Sequence, residues 1–339
     1  MAYVLGRGSA VEWLRQNRNV SLVQHPWTVP YPLLEGSRTR LEAVLPHLEG
    51  LSVPYQLIVW TREDRRRTAL ACSHMLDLRD GHYPAIHVTD ELFVSTPEFT
   101  FLQMASVLDD EHLLFLGLEL CGRYGMRNGR VFMRRQACTR QQLLAFAEYA
   151  RHVHGRKRAL KVAPNVLEGA GSPMEAALAL VLHAPCEEGG HGLAAPELNR
   201  SLSVVGAARR LWPDDHITPD LLWEDAKLAI EYDSDEHHTA GQRIANDARR
   251  RDVLVELGYR VVTVTTEHMR STREVERIAG IVARAVGADL APQDEEARKA
   301  RASLLERMRR MATHPEELTA LPQARDSRSW RPRRPPARP

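Results

Sequence analysis

Hydrophobic positions in the second half of the chain follow strand-like and helix-like spacings in turn. Three short apolar or β-branched runs predict strands, at 217–223, 226–233 and 259–264. Three segments with helical spacing or helical end signals predict helices, at 173–182, 242–257 and 272–286. Gly258 and Gly287 follow the last two helices as end signals. The order α, β, β, α, β, α predicts a mixed sheet flanked by helices.

The first half has a different pattern and predicts a separate α+β domain. Buried strands are expected at 56–60 and 85–88, and helices from about Pro97, over 111–120 and over 139–152. Pro164 and Gly169 follow a basic segment, which places the boundary near residue 165. The predicted organisation is 1–165 for this N-terminal domain, 166–290 for the α/β domain, 291–314 for a charged helix and 315–339 for a disordered tail.

Composition narrows the class of protein. The 339 residues carry a formal net charge of only +2, so the overall charge does not by itself indicate a nucleic-acid-binding protein. The last segment, 325–339, nevertheless holds six arginines and one aspartate, and we expect it to be disordered. The four cysteines form no CxxC pair, which argues against a zinc site and a disulfide framework. Without a leader or an apolar run long enough to span a bilayer, a cytoplasmic protein with no membrane partner is expected.

The segment Lys227–Asp233 carries the candidate chemistry. Strand side chains alternate, so Leu228, Ile230 and Tyr232 share an apolar face while Glu231 and Asp233 share the other. Two charges beside apolar neighbours are costly unless a divalent cation binds them. Asp220, eleven residues before Glu231, lies on the strand that the turn folds back, and completes a carboxylate cluster suited to Mg²⁺ or Mn²⁺. The alternative is that this pair belongs to a solvated sheet edge.

Residues 172–286 resemble the Vsr-like (very-short-patch-repair-like) endonucleases of the PD-(D/E)XK superfamily, in their uncharacterised actinobacterial branch. The segments that carry the resemblance are SPME at 172–175, TPDLLW at 218–223, KLAIEYD at 227–233, HH at 237–238, DARR at 247–250 and LGYRVV at 257–262. The resemblance implies a restriction-endonuclease-like fold, hydrolysis of DNA phosphodiester bonds and a 5′-phosphate on the product. Asp220, Glu231 and Asp233 would then bind one or two metal ions.

One departure from the family pattern concerns the lysine that ends it, which is replaced here by Asp233. Lys227 lies on the same strand face but about 13 Å before Glu231 along the strand, so its side chain would barely reach the carboxylates. His237 or His238 is therefore the expected proton carrier, although paired histidines also occur as caps or as solvated residues.

Glu175 has two interpretations. The pattern Ser172-x-x-Glu175 with Pro173 at the first helical position is a capping box, which needs no catalysis. The resemblance instead places a glutamate of this helix at the metal site.

Arg249, Arg250 and Lys227 are candidate nucleic-acid contacts. Asp247 and Arg250 are three residues apart on a helix, so a surface ion pair competes with phosphate binding by Arg250. DNA is the expected partner; no small-molecule ligand is expected, and a homodimer stays open. The alternative function is a catalytically degenerate nuclease fold that binds nucleic acid as a regulator in a defence or toxin-antitoxin module.

Overall fold

A computed structural model describes residues 3–18, 27–30, 44–75, 82–233, 240–290 and 294–319. The predicted histidine pair His237-His238 lies outside these ranges, and so does the predicted disordered tail from residue 320 onward. The predicted start of that tail is wrong, because Pro315–Leu318 forms a short 3-10 helix in which Leu318 is fully buried. No helix within them has both the length and the apolar character that crossing a bilayer requires.

The first part of the described chain builds a mixed six-stranded sheet in the order β2-β5-β6-β1-β3-β4. Its strands are β1 (Tyr3–Leu5), β2 (Trp27–Pro30), β3 (Tyr55–Val59), β4 (Ala71–Met75), β5 (His82–Thr89) and β6 (Leu92–Ser95). A separate antiparallel ribbon follows, made of β7 (Tyr124–Arg127) and β8 (Arg130–Met133). The helices of this part are α1 (Arg7–Gln16), α2 (Pro97–Met104), α3 (Asp110–Leu120), α4 (Arg140–Tyr149) and α5 (Arg156–Val162).

The second part holds a four-stranded mixed sheet in the order β14-β13-β12-β9. Its strands are β9 (Glu197–Leu198), β12 (Leu221–Trp223), β13 (Leu228–Asp233) and β14 (Arg260–Thr265), and a small antiparallel pair is formed by β10 (Leu202–Ser203) and β11 (His216–Ile217). Strands β13 and β14 run parallel, and the other neighbours of the sheet are antiparallel. The helices are α6 (Pro173–His183), α7 (Ala240–Glu256), α8 (Thr266–Met269), α9 (Thr272–Val286) and α10 (Glu295–Thr313).

The two faces of β13 are buried by different layers. Leu228 and Ile230 belong to the main hydrophobic cluster, whereas Ala229 packs with Leu222 of β12 and with Val253 on α7. The predicted alternation of faces along this strand is therefore confirmed. It positions Glu231, two residues beyond Ala229, on the side of the sheet that α7 covers.

The main hydrophobic cluster extends across the predicted boundary at residue 165. It contains Leu14 and Phe101 from the first part and Ile230 and Val282 from the second. Helix α6 is its centre: every residue from Ala176 to Leu182 is buried, and α3 and α10 both pack against this helix.

The predicted charged helix 291–314 corresponds to α10, which is more than a polar extension. Its Leu304, Leu305, Met308 and Met311 are all nearly inaccessible to solvent and join the main cluster. Apolar residues at this spacing form a single stripe along a helix, with the charged residues on the remaining faces.

Most predicted helices and strands are present, but one predicted strand is divided into two. Helix α9 begins and ends where the spacing of its apolar residues predicted, with Ser271 accepting a hydrogen bond from Glu274 N at the start. The predicted strand at 217–223 is divided into β11 and β12, which pair with different partners. Thr218-Pro219-Asp220 lies between them, and proline has no N–H to continue a ladder.

Candidate active site

Asp220 and Glu231 lie side by side at one end of the second sheet. The last paired residues of β12 and β13 are Leu221 and Ile230, and one step further along this register Asp220 faces Glu231. The Tyr232 N–H donates a 2.6 Å hydrogen bond to Asp220 Oδ2. Directly opposed residues of an antiparallel pair share a face, so both carboxylates project from the face that α7 covers.

Arg250 on α7 is the cationic partner of Glu231. Its Nη2 lies 3.1 Å from both Oε1 and Oε2 of Glu231 and also donates to the carbonyl oxygen of Thr218 at 2.8 Å. The two side chains are 25% and 18% exposed, so water screens this ion pair only in part. Of the two interpretations of Arg250, the surface ion pair with Asp247 is not the one formed, because tertiary folding brings the less exposed Glu231 carboxylate within reach. Phosphate binding by Arg250 stays a prediction.

Glu175 is buried behind this pair at the start of α6. Ser172 Oγ accepts from the Glu175 N–H, as the capping interpretation predicted. The Glu175 carboxylate does not complete a capping box: its Oε2 accepts from Gly171 N at 2.8 Å and from Asn199 Nδ2 at 2.6 Å. The backbone part of the capping interpretation is therefore confirmed, and the interpretation of Glu175 as a metal-site residue stays a prediction.

Asn199 links three parts of the site and was not anticipated from the sequence. Besides its bond to Glu175, its N–H donates to the carbonyl oxygen of Asp220 at 2.9 Å, and its own carbonyl oxygen accepts from Arg123 at 2.8 Å. Asn199 has a φ of 49°, a left-handed conformation that asparagine tolerates better than most residues. The residue therefore fixes Glu175 and Asp220 relative to one another.

Three carboxyl groups at this end of the sheet have raised pKa values. Burial raises the pKa of Asp220 well above its usual range, and the charges of Glu175 and Glu231 raise it further against the Tyr232 N–H bond and Arg250. Burial also raises the pKa of Glu231, although Arg250 opposes the effect. The Glu175 pKa is raised by burial despite its hydrogen bonds. A cluster of this kind favours a bound proton or a bound cation more than isolated carboxylates do.

Asp220 and Glu231 open into a cleft of about 730 Å³. Five acidic and three basic side chains line it: Asp220, Glu231, Asp233, Asp247, Asp252, Arg123, Arg250 and Arg251. Arg123 and Met133 come from the first part of the chain, which therefore contributes directly to the candidate site. Sequence reasoning missed both residues, since their contact with the second sheet leaves no local pattern.

The remaining predicted site residues have different positions. Asp233 is exposed and lines the cleft at the end of β13. Lys227 lies at the opposite end of β13 in the turn, with its Nζ 4.6 Å from the centre of the Tyr259 ring, so it does not line the cleft. Arg249 is exposed and outside the lining. Within the described ranges, no three or more His, Cys, Asp or Glu side chains converge as ligands of a metal ion.

Comparisons with known proteins give distant relatives only. Two proteins of Mycobacterium tuberculosis, Uncharacterized protein MT2308 and Uncharacterized protein Rv2248 from another strain, are each 30% identical over 152 residues. The match covers 45% of this chain and 51% of either relative, so the chain spans about half the length of the curated relatives it matches. Neither a family model nor a solved structure matches the chain.

Proposed function

We propose that this chain is a metal-dependent endonuclease that hydrolyses DNA phosphodiester bonds, with a restriction-endonuclease-like domain in its second part. The observation that carries the proposal is the cross-strand pair Asp220 and Glu231, which is half-buried at the end of a mixed sheet, has raised pKa values and opens into a cleft. The order of the motifs that resemble Vsr-like endonucleases supports it. So does the arrangement of the second sheet, with α6 and α7 packed on either side.

The donor set fits a hard divalent cation such as Mg²⁺ or Mn²⁺. Asp220 and Glu231 would hold it, with Asp233 at the exposed edge, and Mg²⁺ commonly takes one or two carboxylates with water and phosphate as further ligands. Two protein carboxylates are therefore enough for such a cation. When bound, the cation would lower the pKa of a water molecule and stabilise negative charge on the phosphoryl oxygens.

The residues of the chain have separate parts in this proposal. Arg250 neutralises Glu231 in the free protein, and its guanidinium would turn to a phosphate once the Glu231 carboxylate has another positive partner. The Tyr232 N–H holds Asp220 in place through its Oδ2. Asn199 donates both to the Glu175 carboxylate and to the Asp220 carbonyl oxygen, so Glu175 would act on Asp220 through Asn199 instead of contacting the substrate. His237 or His238 is the proposed proton carrier.

The test is a nicking assay on plasmid DNA with Asp220→Asn and Glu231→Gln. Each variant should lose Mg²⁺-dependent cleavage, because each removes a charge at the proposed metal site. Asp225→Asn is the matched control, since Asp225 is an exposed acid in the turn at the far end of the same hairpin. Cleavage that persists in both active-site variants, or that fails equally in the control, would refute the assignment of the site.

A second candidate is a degenerate nuclease fold that only binds nucleic acid, as a regulator. The specific observation in its favour is that Arg250 already contacts both carboxylate oxygens of Glu231, while the usual lysine is replaced by Asp233. Thermal melts separate the two candidates. If the protein has a metal site, Mg²⁺ or Mn²⁺ should raise its Tm by mass action. If Arg250 occupies Glu231 permanently, so that no metal binds, the protein should melt at the same temperature with and without either ion.

A further inference from the structure

The ribbon formed by β7 and β8 ends in two arginines that face each other. Arg127 and Arg130 are the last pair of the ladder, joined by Asn128 and Gly129 with φ values of 52° and 73°. These values suit a tight two-residue hairpin turn that matches the twist of the strands. Like charges directly opposite each other destabilise a ribbon. Neither arginine has an ionic partner in the part of the chain that the structure describes, so the tip has free positive charge.

The base of this ribbon is held rigidly. Arg134, only 8% exposed, donates from Nε to the carbonyl oxygen of Tyr124 at 2.6 Å and from Nη1 to that of Leu14 at 2.7 Å. Its N–H donates to the carbonyl oxygen of Arg123. These hydrogen bonds connect both strands of the ribbon to α1 at the end opposite the turn.

The ribbon also borders the candidate active site. Met133, the last residue of β8, lines the cleft of Asp220 and Glu231 and is 62% exposed. Arg123, just before β7, lines both this cleft and a neighbouring cavity of about 500 Å³ that also contains Arg135. A basic path therefore continues from the carboxylates past the base of the ribbon.

We propose that the β7–β8 ribbon binds the duplex DNA substrate beside the carboxylate cleft, with Arg127 and Arg130 on the phosphate backbone. This inference rests on the proposed nuclease function and adds the element that positions its substrate. A two-stranded ribbon fits the major groove, which is about 12 Å wide, and arginines at its tip then reach the phosphates on either side. Such contacts hold the duplex in register without reading its sequence.

Besides its charged tip, the ribbon has an apolar face that would contact the DNA. Val131 and Met133 are on the same face of the ribbon and are 47% and 62% exposed, so they present an apolar surface beside the cleft. In the proposed complex, Met133 contacts the sugar or base next to the phosphate that the carboxylates approach. The ribbon would thus contribute both charge and a contact surface.

The experiment measures binding of a fluorescent DNA duplex in EDTA, where no cleavage occurs, over a range of salt concentrations. Arg127→Gln with Arg130→Gln should flatten the slope of log affinity against log salt by about two, because two phosphate contacts are lost. Arg127→Lys with Arg130→Lys should retain the slope. The matched control is Arg151→Gln with Lys157→Gln, which removes two exposed cations elsewhere on the surface and should leave the slope unchanged. A thermal melt checks that each variant is folded.

The outcomes separate the ribbon from the nuclease. If the wild type cleaves plasmid while the Arg127/Arg130 glutamine variant keeps its salt slope, the ribbon proposal is overturned and the nuclease stands. If the wild type binds but does not cleave, and the slope still falls in that variant, the ribbon is supported and the nuclease fails. An equal fall in the control pair, or no binding of duplex by the wild type, also overturns the ribbon proposal.

Discussion

Replacing Asp220 with asparagine is expected to stabilise the protein when no divalent cation is present. Asp220 is half-buried beside Glu175 and Glu231, and desolvation together with these two charges raises its pKa well above its usual range. Asparagine retains an oxygen that can accept the Tyr232 N–H bond now made to Oδ2, but carries no charge. The substitution therefore removes the electrostatic penalty and preserves the hydrogen bond that positions the side chain.

The size of the effect depends on pH in a defined direction. Because the folded-state pKa of Asp220 is raised, its contribution to stability is fully present below the unfolded pKa, about 3.9, and is lost as pH rises through the folded value. Each unit of difference between the two values corresponds to about 1.4 kcal/mol of unfolding free energy at higher pH, or roughly 2–5 °C in Tm. The unfolding free energy of Asp220→Asn should fall much less as pH rises over the same range.

The assay is a set of thermal melts in EDTA between pH 5 and pH 8 for the wild type, Asp220→Asn and the exposed-turn control Asp225→Asn. We expect the Asp220→Asn curve to cross above the wild type as pH rises, and the control to follow the wild type. Adding Mg²⁺ at about one hundred times its dissociation constant should stabilise the wild type by about 2.7 kcal/mol and the asparagine variant far less. An Asp220→Asn variant with the same pH dependence as the wild type would refute the electrostatic reasoning.

Three further predictions concern single side chains. Asn199→Ala should lower the free energy of unfolding, measured in urea, by about 1–3 kcal/mol, because Glu175 loses a buried hydrogen-bond donor. Asn199→Gly should lose about 1 kcal/mol less, because glycine adopts the positive φ without strain. Equal losses in the two variants would contradict the argument from the backbone conformation. Arg250→Lys should lose about 1–3 kcal/mol in the same assay, because an ammonium group cannot reproduce the contacts to both Glu231 oxygens and Thr218, and an unaffected variant would contradict that geometry. Leu305→Ala should cost about 2–5 kcal/mol as a core cavity, whereas a loss below 1 kcal/mol would mean that α10 is only peripheral.

Much of the second sheet could be predicted from local pattern. In β13 the alternation of Leu228, Ala229 and Ile230 is long enough to assign the faces, and in α9 a serine cap and Gly287 mark both ends. The same alternation placed Glu231 on the side away from the main cluster. Local spacing is reliable here because each of these elements buries a full face against the core.

The contacts around the carboxylates could not be predicted in this way. Strand β9 has two residues, too few to show a period, so Asn199 carried no signal. Arg250 and Asp247 satisfied the local rule for helical neighbours, but the tertiary structure offered the arginine a more buried partner in Glu231. Met133 reaches the cleft from a ribbon in the other part of the chain, and no single-sequence pattern encodes that distance.

The burial of α6 on every side has a consequence for dividing the chain. A cut near residue 165 would leave one fragment with the bare surface of α3 and the other with the bare surface of α6, each of which now covers the other. Exposed apolar surfaces of that kind aggregate when alone and reassociate when both fragments are present. Co-produced halves should therefore behave as a complementing pair, with the carboxylate cleft rebuilt only in the reassembled protein.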